Sequence, residues 1–189
     1  MENTKNKLSE YEINFFNHLS EYLDTRLYFF GSIQRNDYLP KSSDIDVDIF
    51  TNNESSTITK LMYFLNVENR DFKRFVWKLN VNNKLVYGKK IMYKDTDNNL
   101  SVEFSIYNEK DKDNVLYEHN YKNKLPYYAV CLLIFLKYLY YKFNILPKTW
   151  YKSLKAFILN ILVYNKPEFF VVIDVKNKYK TNKLVNKYN

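Results

Sequence analysis

Three aspartates, Asp44, Asp46 and Asp48, alternate with Ile45, Val47 and Ile49 in the stretch SDIDVDIF. Alternation at period two is the pattern of a β-strand with one apolar and one acidic face. Carboxylates at i and i+2 of a strand lie about 6–7 Å apart, near enough to grip a divalent cation between them. Without a cation, like charges held this close are costly. A dozen residues upstream the apolar run RLYFF ends at Gly31 and Ser32, and Gly31 is one of only 2 glycines. Glycine at a strand end lets the backbone take φ > 0 or approach a ligand closely. N–H groups that open a helical turn after it face a phosphate. An acidic stripe beside a phosphate-cradling turn is what metal-assisted nucleotidyl transfer requires. In that chemistry two Mg²⁺ or Mn²⁺ ions about 3.5–4 Å apart activate an attacking hydroxyl and hold a triphosphate.

Other reactive side chains carry weaker signals. Asp48 shares the acidic face, and its expected place is solvent at the strand end or beside a lysine. Arg35 reads as a phosphate contact or, more commonly for a lone arginine, a surface cap of its loop. His18 and His119 have no partners at metal spacing and read as structural or surface residues. Cys131 reads as a small buried apolar side chain. Walker loops, zinc cysteine pairs and the order of a serine hydrolase triad are absent from the sequence.

The elements that must position these residues can be placed from periodicity and punctuation. Residues 8–23 have helical spacing, and RLYFFGS is a short apolar strand. QRNDYLPKSS is a loop, DIDVDIF the next strand, and ESSTITKLMYFLN a helix with a capping start. FKRFVWKL, KLVYGKKIMYK and LSVEFSIYN read as strands, the last two joined by the turn DTDNN. After Asn108 the pattern changes. EKDKDN is a charged connector, LPYYAVCLLIFLKYLYYKF a helix with Pro126 in its first turn, and TWYKSLKAFILNILVY a second helix. PEFFVVIDV is a short strand or an extended segment. The fold class is therefore α+β over about the first 108 residues, followed by a helical piece to residue 175 and a basic, mobile tail over 176–189.

Composition bounds the rest. The chain has 189 residues, 46% of them hydrophobic, enough for a proper core. Its net charge of +8 favours a polyanionic partner such as nucleotide or nucleic acid. The abundance of Asn, Lys, Ile and Tyr matches a viral or AT-rich genome. A single cysteine excludes an internal disulfide and fits an intracellular, reducing compartment. ENTKNKLSEYE lacks the apolar core of a signal peptide, and the run 125–136 is too short to span a bilayer, so no membrane role is expected.

The spacing Gly-Ser, eleven residues, Asp-Ile-Asp resembles the signature of the DNA polymerase beta-type nucleotidyltransferase superfamily. More closely, FGSIQRNDYLPKSSDIDV resembles the matching stretch of poly(A) polymerases and terminal uridylyltransferases. LSVEFSIYN resembles the strand that supplies the superfamily's third carboxylate, which implies that Glu103 completes the set with Asp44 and Asp46. LLIFLKYLYYKF and TWYKSLKAFIL resemble a helix pair shared by poly(A) polymerases, oligoadenylate synthetases and cyclic GMP-AMP synthase. The resemblance implies that Lys137 reaches the triphosphate and that Tyr151 stacks on the base. Trp150 stands where the family has a serine. About residues 28–160 are covered.

The resemblance therefore implies a palm-like mixed β-sheet with flanking helices over 1–108, a nucleotidyltransferase catalytic domain, with a helical subdomain over 109–175. Asp44, Asp46 and Glu103 are the expected catalytic and metal-binding residues; Gly31, Ser32, Lys137 and Tyr151 are the expected nucleotide-binding residues. The expected reaction adds NMP from an NTP, ATP first among them, to an RNA 3′ end and releases pyrophosphate. Synthesis of a cyclic or oligonucleotide messenger is the alternative within the class. A catalytically degenerate nucleotide- or RNA-binding module is the alternative outside it, and a homodimer or protein partner would supply missing RNA-binding surface.

Overall fold

The computed structural model describes residues 4–164 and 169–173. Its centre is a six-stranded mixed sheet in the order β1-β2-β5-β4-β3-β6. The strands are β1 (Leu27–Phe30), β2 (Ile45–Thr51), β3 (Lys73–Lys78), β4 (Leu85–Asp95), β5 (Leu100–Asn108) and β6 (Phe169–Ile173). Only β2 and β5 run parallel; the other neighbours are antiparallel. This is the expected α+β architecture. The segment FFVVI resolves as an edge strand paired with β3. The basic tail, 176–189, lies outside the described residues.

Period-two alternation assigns each face of the sheet a task. Ile45, Val47 and Ile49 on β2 and Val102, Phe104 and Ile106 on β5 point to one side, where all six are buried. Helices α1 (Glu10–Leu23) and α2 (Glu54–Leu65) cover that side, contributing Phe16, Leu19, Ile58 and Leu61 to the core. Ser9 caps α1 in a reciprocal pair with Glu12, and Asn53 caps α2 through the Ser56 N–H. The alternate residues, Asp46 and Asp48 on β2 and Glu103, Ser105 and Tyr107 on β5, point to the other side. Further along that face a second core gathers Tyr28, Phe50, Phe75, Trp77 and Tyr107.

Helix α3 (Lys112–Asn123) closes this second face, with Val115 in its core. In sequence its start is only a charged connector, EKDKDN. The helix buries Glu118 and His119 beside Val115, so its inner face is largely polar and leaves no apolar periodicity to read. Helix α4 (Tyr127–Lys137) continues into a π-helical turn at Tyr138–Lys142, and α5 (Lys148–Phe157) into another at Ile158–Val163. The two pack through Ala129, Leu133, Leu136, Tyr151 and Ile158. Cys131 lies on the outer side of α4 and is exposed, against the expected burial. Among the described residues no helix is long and apolar enough to cross a membrane.

Candidate active site

The site forms where the acidic face of the sheet meets the turn after β1. Gly31 opens a 3₁₀ turn, Gly31–Gln34, with φ +71°, a left-handed conformation that only glycine adopts cheaply. A Cβ there would run into the Asp46 carboxylate, so the glycine lets the turn pack directly on that group. Ser32 is buried in the same turn. Phe30, just before it, pairs with Asp46 across β1 and β2.

Asp46 sits directly beside Glu103 in the parallel register of β2 and β5. Asp44 lies just before β2, and its Oδ1 accepts a 2.6 Å hydrogen bond from the Ser101 hydroxyl. Glu103 is paired with Lys90 of β4 at 3.0 Å. Burial pushes the Asp46 carboxyl up to about 7, with Glu103 and Asp44 repelling its charge and Lys155 and Arg35 favouring it. The donor set is all carboxylate oxygen, the chemistry that suits a hard divalent cation. Ser101 and Lys90 engage two of the three acids, and as the side chains stand no group of three or more His, Cys, Asp or Glu among the described residues is drawn together as a metal site.

Asp48 is the exception on this face. It is fully buried, and its Oδ2 lies 2.8 Å from Nε2 of His119. That overturns its expected place at solvent or beside a lysine. The imidazole stacks on Phe30, centroids 4.0 Å apart, and borders Trp77. His119 thus ties α3 to β2 and backs the residue that leads into the Gly31 turn.

Arg35 is also buried rather than a surface cap, and its guanidinium binds Asp37 at 2.8 Å. Lys137 joins this pair from α4. Its amine donates to the Asp37 carbonyl at 2.6 Å and to the Ser43 hydroxyl at 3.0 Å, and lies 3.2 Å from the Asp37 carboxylate. Burial lowers the Lys137 amine to about 8 despite Asp37. Lys137 therefore clamps the loop between the Gly31 turn and Asp44 onto the helical part. Lys155, which carries no motif signal in the sequence, is the lysine whose charge pulls most on Asp46. It lies one turn after Tyr151 and shares its helix face, since Tyr151 and Ile158 on either side of it are both buried.

Two cavities flank the acids. One, of about 160 Å³, opens between Gly31, Arg35 and Glu103 and is walled by Trp77, His119 and Phe170, with Asn123 and Asn160 as polar groups. The other, of about 310 Å³, lies on the Asp44 side and includes Tyr151, Tyr140 and Tyr141. Tyr151 is buried, and Tyr140 already stacks on its ring at 4.3 Å. The structure thus brings Gly31, Ser32, Asp44, Asp46 and Glu103 to one place, sets Tyr151 in the second cavity, and commits the Lys137 amine to the loop.

No curated protein and no solved structure matches the chain. Residues 13–128, more than half of it, match the family model described as "Nucleotidyltransferase domain". That span runs from α1 to the start of α4 and contains the glycine turn and all three acids, so the chain belongs to the nucleotidyltransferase-domain family.

Proposed function

We propose that this nucleotidyltransferase adds NMP from an NTP, with ATP its first candidate, to the 3′ hydroxyl of an RNA strand, breaking the α–β phosphoanhydride and releasing pyrophosphate, in the manner of a poly(A) polymerase. The observation that carries the reading is the direct pairing of Asp46 with Glu103, beside a glycine turn packed against the Asp46 carboxylate. The N–H groups of the Gly31–Ser32 turn bind the phosphates. The base enters the cavity walled by Trp77, His119 and Phe170 rather than the one with Tyr151, whose ring Tyr140 already covers. Its volume of about 160 Å³ is below the usual range for drug-sized pockets and suits one base. Asn123 and Asn160 can hydrogen-bond its edge. Asp44, Asp46 and Glu103 would hold Mg²⁺ or Mn²⁺, which when bound polarises the α-phosphate and the attacking hydroxyl. Glu103, once released by Lys90, accepts the proton of the attacking hydroxyl. Lys155 and Arg35 offset charge on the phosphates, and Lys137 acts through the loop it clamps.

The Lys90–Glu103 ion pair favours a second reading, a module that binds nucleotide without transferring it. One experiment separates the two. Each labelled NTP is offered with Mg²⁺ or Mn²⁺, with and without an RNA primer, to the native protein and to Asp44→Ala/Asp46→Ala. Ladder growth that the double variant lacks supports RNA extension. Small cyclic or short oligonucleotide products assign the protein to messenger synthesis. No incorporation with either metal, alongside retained NTP binding, overturns catalysis.

A further inference from the structure

The larger cavity on the Asp44 side is unlike the one beside Gly31. Four lysines line it, Lys41 and Lys94 from the sheet side and Lys148 and Lys152 from α5. Its acids are engaged: Asp44 by Ser101, and Asp95 by Tyr11 and Asn98. Tyr140 and Tyr141, both half-buried, supply aromatic surface, with Tyr151 buried against them. Lys148 and Lys152 stand one helical turn apart, so they repel each other with no acid alongside to relieve them. Between Glu118 and Glu168 the chain carries no Asp or Glu at all. The four lysines therefore outnumber the cavity's two carboxylates, Asp44 and Asp95, and the helical part that overhangs the sheet contributes no acid to it. Lysines interleaved with aromatic rings are the chemistry that grips a single-stranded polynucleotide, phosphates on the cations and bases on the rings.

We infer that this cavity is the track of the acceptor strand, holding the phosphates of a single-stranded polynucleotide whose 3′ end reaches the carboxylates. The inference rests on the transfer reaction proposed above and names the side from which its second substrate enters. The Gly31 side takes the NTP; the Asp44 side takes a polymer. Four lysines drawn from the loop before Asp44, from β4 and from α5 suit a run of phosphates better than one small acceptor.

The test is binding, which needs no catalysis. A 5′-fluorescein oligoadenylate RNA of about a dozen nucleotides and, separately, a fluorescent ATP analogue are titrated against the native chain and Lys148→Glu/Lys152→Glu. Both lysines are exposed on α5, so the substitutions leave the core untouched. Lys41→Ala/Lys94→Ala gives an independent second probe of the same cavity. The expected result is at least tenfold weaker RNA binding by the charge-reversed variant. Its salt slope falls by about 1.4, from two lost phosphate contacts at about 0.7 each, while its affinity for the ATP analogue stays within twofold. RNA binding that is unchanged in both variants overturns the inference. Equal loss of RNA and ATP-analogue binding also overturns it, because the cavity then holds the triphosphate. If the native chain extends RNA while both variants bind RNA normally, only the track is wrong. If the native chain transfers nothing, the reaction itself is wrong.

Discussion

Lys137 on α4 donates a 2.6 Å hydrogen bond to the main-chain carbonyl of Asp37, which lies a hundred residues earlier in the chain. With the Asp37 carboxylate and Ser43, that contact fixes the loop carrying the polypeptide from the glycine turn to the acidic strand. Lys137→Met keeps the aliphatic stem and removes the charge, leaving Arg35 alone with Asp37. Arg35 still neutralises Asp37, so what is lost is the amine's hydrogen bonds to the Asp37 carbonyl and Ser43, about 1.5–3 kcal/mol for a charged donor. That loss is offset in part because burial disfavours the charged amine, and the variant should melt below the native protein. A lysine serving only as a phosphate contact would instead raise the NTP KM and leave Tm unchanged. Measuring Tm and KM on one preparation separates the two.

Gly31→Ala tests the close approach of the turn to Asp46. The left-handed backbone costs an L-residue about 1–2 kcal/mol, and the new Cβ meets the Asp46 carboxylate. Nucleotidyl transfer should fall about a hundredfold or more, as expected when a reacting group is displaced by about an ångström. The protein should stay folded by circular dichroism. Native-like turnover would show that the turn does not set the position of Asp46.

Asp46→Asn reads out the metal without turnover. The native chain holds a partly buried carboxylate beside two others, and a divalent cation should stabilise it. At a hundred times Kd the ligand adds about 2.7 kcal/mol, visible as a rise in Tm between EDTA and saturating Mg²⁺. Asp46→Asn should melt no lower than the native chain in EDTA and should lose most of the Mg²⁺ response. An equal Mg²⁺ response in both proteins would place the cation elsewhere.

What the sequence disclosed follows from the range of the forces involved. The acidic stripe was legible because strand alternation is local: Asp46 and Glu103 each sit opposite apolar neighbours in their own strands. Gly31 was legible because glycine is so scarce here. Helix α3 was not, because its buried Glu118 and His119 look like surface residues until the Val81 N–H and Asp48 are placed beside them. Asp48 was misplaced for the same reason, since only the fold brings His119 beside it. Arg35 has its partner Asp37 two residues on, and what the sequence does not show is that the pair is buried with Lys137. Lys155 needed only the orientation of α5, which Tyr151 and Ile158 supply once both are known to be buried.

His119→Phe probes the tie between α3 and β2. A phenyl ring keeps the stack on Phe30 and the contact with Trp77 but removes the nitrogen bonded to Asp48. A hydrogen bond to a charged group is worth about 1.5–3 kcal/mol, so the urea midpoint should fall with the m-value unchanged. His119→Gln, which can still donate to the carboxylate, should recover part of the loss. If both variants unfold like the native protein, the pair is not holding the helix to the sheet.

Asp37 gives the site a pH dependence on the acid side. Burial alone would raise its carboxyl, but the Arg35 hydrogen bond and charge, with Lys137 behind them, outweigh burial and hold it below the ordinary value of 3.8. A carboxyl whose pKa is lower folded than unfolded contributes stability that is complete above the unfolded value and is lost as pH falls through the folded one. Stability from this group should therefore be flat above about pH 4 to 5 and decline below it. In Asp37→Asn the guanidinium and the lysine are buried with no carboxylate between them, so the variant should be less stable across the neutral range. It should also lack the Asp37 part of the acid decline, so the native and variant curves should converge as pH drops below 3.8. Chemical denaturation at half-unit steps from pH 3 to pH 7 resolves this; parallel curves over the whole range would show that the Asp37 carboxylate is not what Arg35 and Lys137 hold.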